Sequence, residues 1–198
     1  MMNSGQWDSV ESAQHYGHAL LRDEEIELRE SEHPDFAAMA QWWNDPQWAV
    51  LQQRTIKPRP EAPLLEMFAQ WSENKPSSGD AGFSIFELAT GGFIGHITLF
   101  GGALPHRAAE MAVMIGPDFV GRGFGTRASK LMAGYGFREM GLHRIGLCVA
   151  AFNQRATRAY EKAGFVQEGR QREVYFHNGQ FHDQILLSLL SSDYFTAA

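Results

Sequence analysis

Apolar and polar positions change period along the chain, and the changes mark out its elements. From Ala19 the pattern reads as a hairpin. Ala19-Leu20-Leu21-Arg22 leads to an acidic turn at Asp23-Glu24-Glu25, and Ile26-Glu27-Leu28-Arg29 then alternates with the period of two of a half-buried strand. Pro34 suits the first turn of a helix. Phe36, Met39, Ala40 and Trp43 follow at helical spacing until Asn44-Asp45-Pro46 stops the run. Residues 52–63 are rich in Arg, Lys and Pro and read as a loop. Leu64, Leu65, Phe68 and Trp71 form the apolar side of a helix over about 63–73. Residues 83–88 and 93–100 are dense in β-formers, and Thr90-Gly91-Gly92 makes the turn between them. Residues 110–115 are a further strand, ended by Gly116-Pro117.

The second half has a different rhythm. A glycine-rich stretch, 121–125, opens a helix to about Met140, and residues 144–149 form a strand. Residues 153–163 form a helix with Ala156, Ala159, Tyr160 and Ala163 on one face and Gly164 as its left-handed terminator. Residues 165–176 and 181–190 make a closing hairpin around Asn178-Gly179. The order predicts an α/β (α+β) fold: one mixed sheet with helices on both faces. Residues 1–17 are polar apart from Trp7 and Tyr16 and read as a loosely ordered arm ahead of a single domain, 18–198. The apolar end strand, 185–190, is either a dimer edge or interior.

Composition narrows the class. At 198 residues and 44% apolar, the chain can bury one substantial core. Seventeen Lys and Arg against 23 Asp and Glu give a formal charge of −6, which argues against a nucleic-acid partner. The single cysteine, Cys148, excludes an internal disulfide framework and fits a reducing compartment. No apolar run approaches the roughly 18 residues of a membrane span, and the polar start has no secretory h-region. The expectation is a soluble cytoplasmic domain with no membrane partner. The eight histidines show no metal spacing, so no metal is expected.

Gly121-Arg122-Gly123-Phe124-Gly125-Thr126 lies between a strand and a helix. Glycines let main-chain N–H groups approach an anion, and the helix N-terminus adds its positive dipole end, so the stretch is a candidate phosphate loop, with Arg122 and Arg127 adding charge. A dinucleotide site wants an acid after the next strand. That strand ends Cys148-Val149-Ala150-Ala151-Phe152 without one. An S-adenosylmethionine-dependent methyltransferase wants the same acid for the ribose. A lysine-bearing P-loop is absent, because Gly125 is followed by Thr126-Arg127. A pyrophosphate needing no ribose carboxylate fits.

The glycine loop is followed about 28 residues later by Asn153-x-x-Ala156-x-x-x-Tyr160-x-x-x-Gly164-Phe165. Together they resemble the GNAT superfamily of N-acetyltransferases. Asn44-Asp45-Pro46 after a Trp-containing helix, and the closing hairpin with Asn178-Gly179 and Asp183, resemble its Rim-type branch, named for ribosomal-protein N-terminal acetyltransferases. The resemblance spans about residues 19–191. It implies a GNAT-like sheet with a V-shaped splay and an acetyl-coenzyme A cosubstrate. Main-chain N–H groups of Gly121, Arg122, Gly123, Phe124, Gly125 and Thr126 would hold the pyrophosphate. Val113, Met114 and Ile115 would pair with pantetheine, Asn153 would contact the pantetheine arm, and Tyr160 would protonate the leaving thiolate. The family's usual Gln or Arg at the start of the loop is Val120 here, which a main-chain contact survives.

The chemistry implied is direct transfer of acetyl from a thioester to a primary amine, on a protein N-terminus or a small molecule. A non-catalytic acyl-coenzyme A-binding module and a methyltransferase are the alternatives. Glu110 is a candidate base, directly or through water, or a strand-end carboxylate bonded to main chain. Asn153 also suits a helix N-cap. His96, mid-strand with Ile94 and Thr98 on the same side, is a satisfied sheet histidine or a base on the acceptor side. Trp43 and Trp48 flank Asn44-Asp45-Pro46, as core or as acceptor-pocket walls. Arg54, Lys57 and Arg59 form a basic cluster, either solvated or meeting an acidic acceptor. Cys148, in a strand pattern, reads as a buried inert thiol. The acidic remainder of the chain favours a cationic amine.

Overall fold

The computed structural model describes residues 7–76 and 78–197, so the first six residues of the expected arm lie outside the described residues. Seven strands form one sheet in the order β1-β2-β3-β4-β5-β7-β6. They are β1 (Ile26–Arg29), β2 (Ala81–Glu87), β3 (Phe93–Ala103), β4 (Ala108–Ile115), β5 (Arg144–Ala150), β6 (Val166–His177) and β7 (Gln180–Leu190). All neighbours are antiparallel except β4 and β5. The apolar run of β7 is interior, between β5 and β6, and is not an edge. The β6–β7 turn has Asn178 at φ 51° and Gly179 at φ 71°, the doubly positive pair that an Asn-Gly hairpin turn takes.

The single parallel pairing positions the site. β4 and β5 register only over Ala108↔Arg144, Ala109↔Ile145 and Glu110↔Gly146. Beyond that, β4 stays with β3 as far as Ile115, and β5 stays with β7 as far as Ala150. The two halves of the sheet therefore part at Glu110, which is the V-shaped splay expected from the family resemblance.

The period of two along β4 separates two cores. Ala109 and Met111 join Phe124, Ala128, Met132 and Phe137 of α5 (Phe124–Arg138) on one face. Met114 joins Phe36 and Met39 of α2 (His33–Asn44) and Leu64 and Phe68 of α4 (Glu61–Trp71) on the other. At the end of α2, the Asp45 N–H donates to the carbonyls of Gln41 and Trp42, while the Asp45 carboxylate accepts from the N–H of Gln47. The proline stop of α2 is thus the first turn of α3 (Pro46–Gln52), an element not foreseen in the pattern.

The N-terminal reading changes. Residues 10–20, expected as the end of an arm and the start of a strand, form α1 (Val10–Leu20). Ser9 and Ser12 cap it reciprocally. Its hydroxyl-bearing face reaches α5, where Tyr16 donates to the Glu139 carboxylate. None of its residues is buried, so no apolar stripe announces it. Only a bridge between Arg22 and Glu27 survives of the expected hairpin's first arm. The acidic turn itself is present, with the Asp23 carboxylate accepting from the N–H groups of Glu25 and Ile26. α6 (Gln154–Lys162) follows β5 and packs against α5, and α7 (Ser191–Ala197) ends the described chain.

Candidate active site

The glycine loop enters α5 with Gly121 at φ 80° and Gly123 at φ 90°, backbone that a side chain would strain. The N–H groups of Thr126 and Arg127 return to the Gly123 carbonyl. Those from Gly121 to Gly125 have no acceptor among the described residues. Of these residues Gly121, Gly123, Phe124 and Gly125 line the cleft at the helix N-terminus, which is the arrangement an anion needs.

The two arginines expected to assist are committed elsewhere. Arg122 pairs with the Glu87 carboxylate, 5% exposed, and lies 4.7 Å over the Phe124 ring. Arg127 bridges Asp23, at 2.9 Å, and Glu25. Thr126 gives its hydroxyl to the Ala159 carbonyl at 3.1 Å, tying α6 to the loop. With Arg122 and Arg127 so paired, the groups left free at the loop are main-chain N–H groups, the kind of contact that the Val120 departure leaves unaffected.

Asn153 caps α6, its Oδ1 accepting from the Ala156 N–H at 3.2 Å, which leaves its amide N–H₂ to the cleft. On the same helix Tyr160 reaches the splay. Burial, helped by nearby Cys148, pushes its hydroxyl up to about 12, so it is protonated at neutral pH.

Across the gap, Glu110 stands at the point where the strands part. Its carboxylate has no hydrogen-bond donor among the described residues, so the reading of a strand-end group bonded to main chain does not describe it. Burial raises its pKa above the ordinary carboxylate range, with Glu168 adding and Arg144 opposing. Room for the carboxylate comes from Gly146, where a Cβ would sit 2.6 Å from Glu110 Oε1.

Cys148, expected to be buried, is exposed on the cleft wall. It sits on a strand flanked by the open splay, so one side of it has no neighbouring strand. Desolvation raises its pKa, with Glu110 adding, so it stays a thiol. Arg54 and Tyr175 complete its surroundings.

The three acceptor-side candidates line the cleft in different ways. His96 is 2% exposed and bonded to the Ser72 hydroxyl at 2.8 Å. Burial lowers its pKa to about 4, so it is neutral. Trp48 donates its indole N–H to the Ile115 carbonyl at 3.0 Å, bolting α3 to the end of β4, and Arg155 lies 5.4 Å over its ring. Trp43 packs edge-on against Phe68 and Trp71. Phe100, opposite Glu110 in register, adds an exposed aromatic on the same face.

The cleft that these groups line measures about 520 Å³. Sequence reasoning missed Arg155, Arg158 and Lys162, whose i, i+3, i+7 spacing places them on one side of α6 and into the cleft. None of the three forms an ion pair among the described residues. Gly146 was missed as well, since nothing local distinguishes a strand glycine that makes room for a carboxylate. Among the described residues no group of His, Cys, Asp and Glu could hold a metal ion, and no helix is long and apolar enough to cross a membrane.

Residues 25–166 match the family model described as an acetyltransferase (GNAT) domain. Spermidine N(1)-acetyltransferase of Escherichia coli (strain K12) is 37% identical over 89 residues, covering 45% of this chain and 48% of that protein. The enzyme of the same name from Vibrio cholerae is 36% identical over 110 residues, covering 56% and 64%. The chain thus spans about half to two thirds of the length of these curated relatives. A crystal structure of spermidine N-acetyltransferase from Vibrio cholerae, in complex with CoA and spermine, superposes with a TM-score of 0.76 at 27% identity, over 87% of this chain and 99% of that one.

Proposed function

Because the chain belongs to the GNAT acetyltransferase family, we propose that it is an acetyl-coenzyme A-dependent N-acetyltransferase that passes acetyl directly to a primary amine. One observation carries the reading. Gly121, Gly123, Phe124 and Gly125, whose N–H groups are unpartnered among the described residues, line the same cleft as the β4–β5 splay, and a protonated Tyr160 and the Glu110 carboxylate flank that splay.

The residues present fit the cosubstrate. The loop N–H groups hold its pyrophosphate. Val113, Met114 and Ile115 offer main chain released from β5 to the pantetheine arm, and the free amide of Asn153 meets that arm. The cosubstrate supplies the activated acetyl group. Glu110 takes the proton from the attacking amine, directly or through water, and its raised pKa makes it a better base near neutrality. A main-chain N–H of the splayed segment 111–115 holds the charge that grows on the acetyl oxygen. Tyr160 gives its proton to the departing sulfur. Each positioned proton transfer is worth roughly 10²–10⁴ in rate. Arg122 and Thr126 keep the loop and α6 in place, and Trp43, Trp48 and His96 wall the acceptor side. Cys148, held as a thiol, takes no part.

The test is loss of thioester against appearance of acetylated amine over a panel of amines, for the wild type and Tyr160→Phe. Stoichiometric transfer, slowed about 10²-fold in the variant, is expected. Equal rates remove Tyr160 as the acid. Tight acetyl-coenzyme A binding without turnover identifies a non-catalytic module, and thermal protection by S-adenosylmethionine instead identifies a methyltransferase.

A further inference from the structure

The net charge of the chain and the charge of its cleft have opposite signs. Among the described residues lining the cleft, Glu110 is the one carboxylate, against Arg54, Arg155, Arg158 and Lys162. The excess of Asp and Glu that gives the chain −6 lies elsewhere, so the cationic amine expected from composition is not what this cleft is built to attract.

The four cations come from two segments of the chain. Arg155, Arg158 and Lys162 stand on α6, which Thr126 ties to the glycine loop; Arg155 lies over the Trp48 ring, and an anionic cosubstrate in the loop would account for Arg158 and Lys162. Arg54 follows α3 and lies near Cys148 of β5 and Tyr175 of β6. It is exposed and forms no ion pair among the described residues. Of the basic cluster noted in the sequence, it alone lines the cleft. Lys57 and Arg59 do not, and the Arg59 guanidinium rests on the Met67 sulfur. The same cleft has aromatic walls, Trp43, Trp71, Phe100 and Tyr175, the last of them near Arg54. His96 is neutral, 2% exposed and bonded through Nε2 to Ser72, so it adds no second anionic group for an ammonium.

We infer that the acceptor is a small amine of amino-acid type, a primary amine that carries a carboxylate for Arg54 and an aromatic or apolar body for the aromatic walls, and not a polyamine. The inference rests on the acetyltransferase reading above and specifies the acceptor of that same site. A polyamine would bring its remaining ammonium groups into a cleft where, among the described residues, the one carboxylate is the base and the Arg54 guanidinium has no ion-pair partner, and like charges so placed are rejected. The pantetheine arm shares the 520 Å³ with the acceptor, which leaves room for a body of amino-acid size.

The experiment compares kcat/KM at saturating acetyl-coenzyme A for phenylalanine, phenethylamine (the same body without the carboxylate) and spermidine, with acetyl-coenzyme A binding measured by calorimetry on the same protein. Phenylalanine is expected to exceed phenethylamine by about fivefold, the scale of one exposed ion pair, and spermidine by roughly tenfold or more. Arg54→Gln is expected to bring the phenylalanine-to-phenethylamine ratio close to one, and Arg54→Lys to restore part of it. Spermidine turned over as fast as phenylalanine, or a ratio untouched by Arg54→Gln, overturns the acceptor assignment while leaving the acetyltransferase reading intact. Absence of acetyl-coenzyme A binding overturns both.

Discussion

Gly146→Ala tests the carboxylate at the splay without removing it. A Cβ at this position would lie 2.6 Å from Glu110 Oε1 and 3.1 Å from its Cδ and Oε2. Ordinary contact begins at 3.4 Å, so the oxygen must retreat by about 0.8 Å, the difference between 3.4 and 2.6. The moving group is the end of a flexible side chain with no hydrogen bond to lose. Folding should therefore suffer little, and replacing a strand glycine by alanine contributes roughly 0.5–1 kcal/mol in its favour. Catalysis is more sensitive, because displacing a reacting group by about 1 Å costs about 10²-fold. Glu110→Gln, which removes the base, sets the limit at roughly 10²–10⁴. The assay is initial-rate loss of thioester absorbance, with a thermal melt of each variant. The expected result is Gly146→Ala melting at or slightly above the wild type, with kcat down about 10²-fold. A rate within twofold of the wild type, while Glu110→Gln is disabled, refutes the claim that the carboxylate works from its position against Gly146. Glu110→Gln at wild-type rate refutes its role as base.

Three further outcomes follow from the same geometry. Glu87→Gln frees Arg122 from its anchor and should cost about 2 kcal/mol in urea unfolding. It should raise KM for acetyl-coenzyme A several-fold with kcat unchanged, whereas a fall in KM would mean that Arg122 reaches the phosphates itself. Cys148→Ala should keep at least half of the activity, and a maleimide should modify the wild-type thiol slowly, and more slowly still with coenzyme A present; loss of turnover in the variant would point to a covalent route. His96 titrates near 4 when folded against 6.5 ordinarily, so between those values the unfolded chain binds a proton that the folded chain does not. Stability present above pH 6.5 is thus lost as pH falls toward 4, by about 3 kcal/mol. Urea unfolding at pH 7 and pH 4.5 should show this slope in the wild type and a shallower one in His96→Gln.

Much of the fold was legible because its signals are local. Asn178-Gly179 and Gly164 took the left-handed backbone their residue types favour, and Thr90-Gly91-Gly92 joined the two strands it was assigned to. The loop before α5 and the cap at Asn153 were equally visible, since both are written in consecutive residues. What escaped depends on distant partners. α1 rests on α5 through polar contacts and buries none of its residues, so periodicity could not reveal it. Cys148 has the neighbours of a buried strand residue in sequence, yet β4 leaves β5 two residues earlier, at Glu110↔Gly146, and exposes it. Arg122 and Arg127 read as phosphate ligands until Glu87, Asp23 and Glu25 are seen beside them, from segments 35 to about 100 residues away. The sign of the cleft was hidden for the same reason: composition counts carboxylates without placing them.

The most direct measurement of the central claim follows an isotope-labelled acetyl group from acetyl-coenzyme A by mass spectrometry, with the intact chain and the amine analysed in the same reaction. The account predicts label on the amine, free coenzyme A in equal amount, and no label on the protein at any time. Label trapped on the chain, or thioester left intact in the presence of every amine tried, would contradict it.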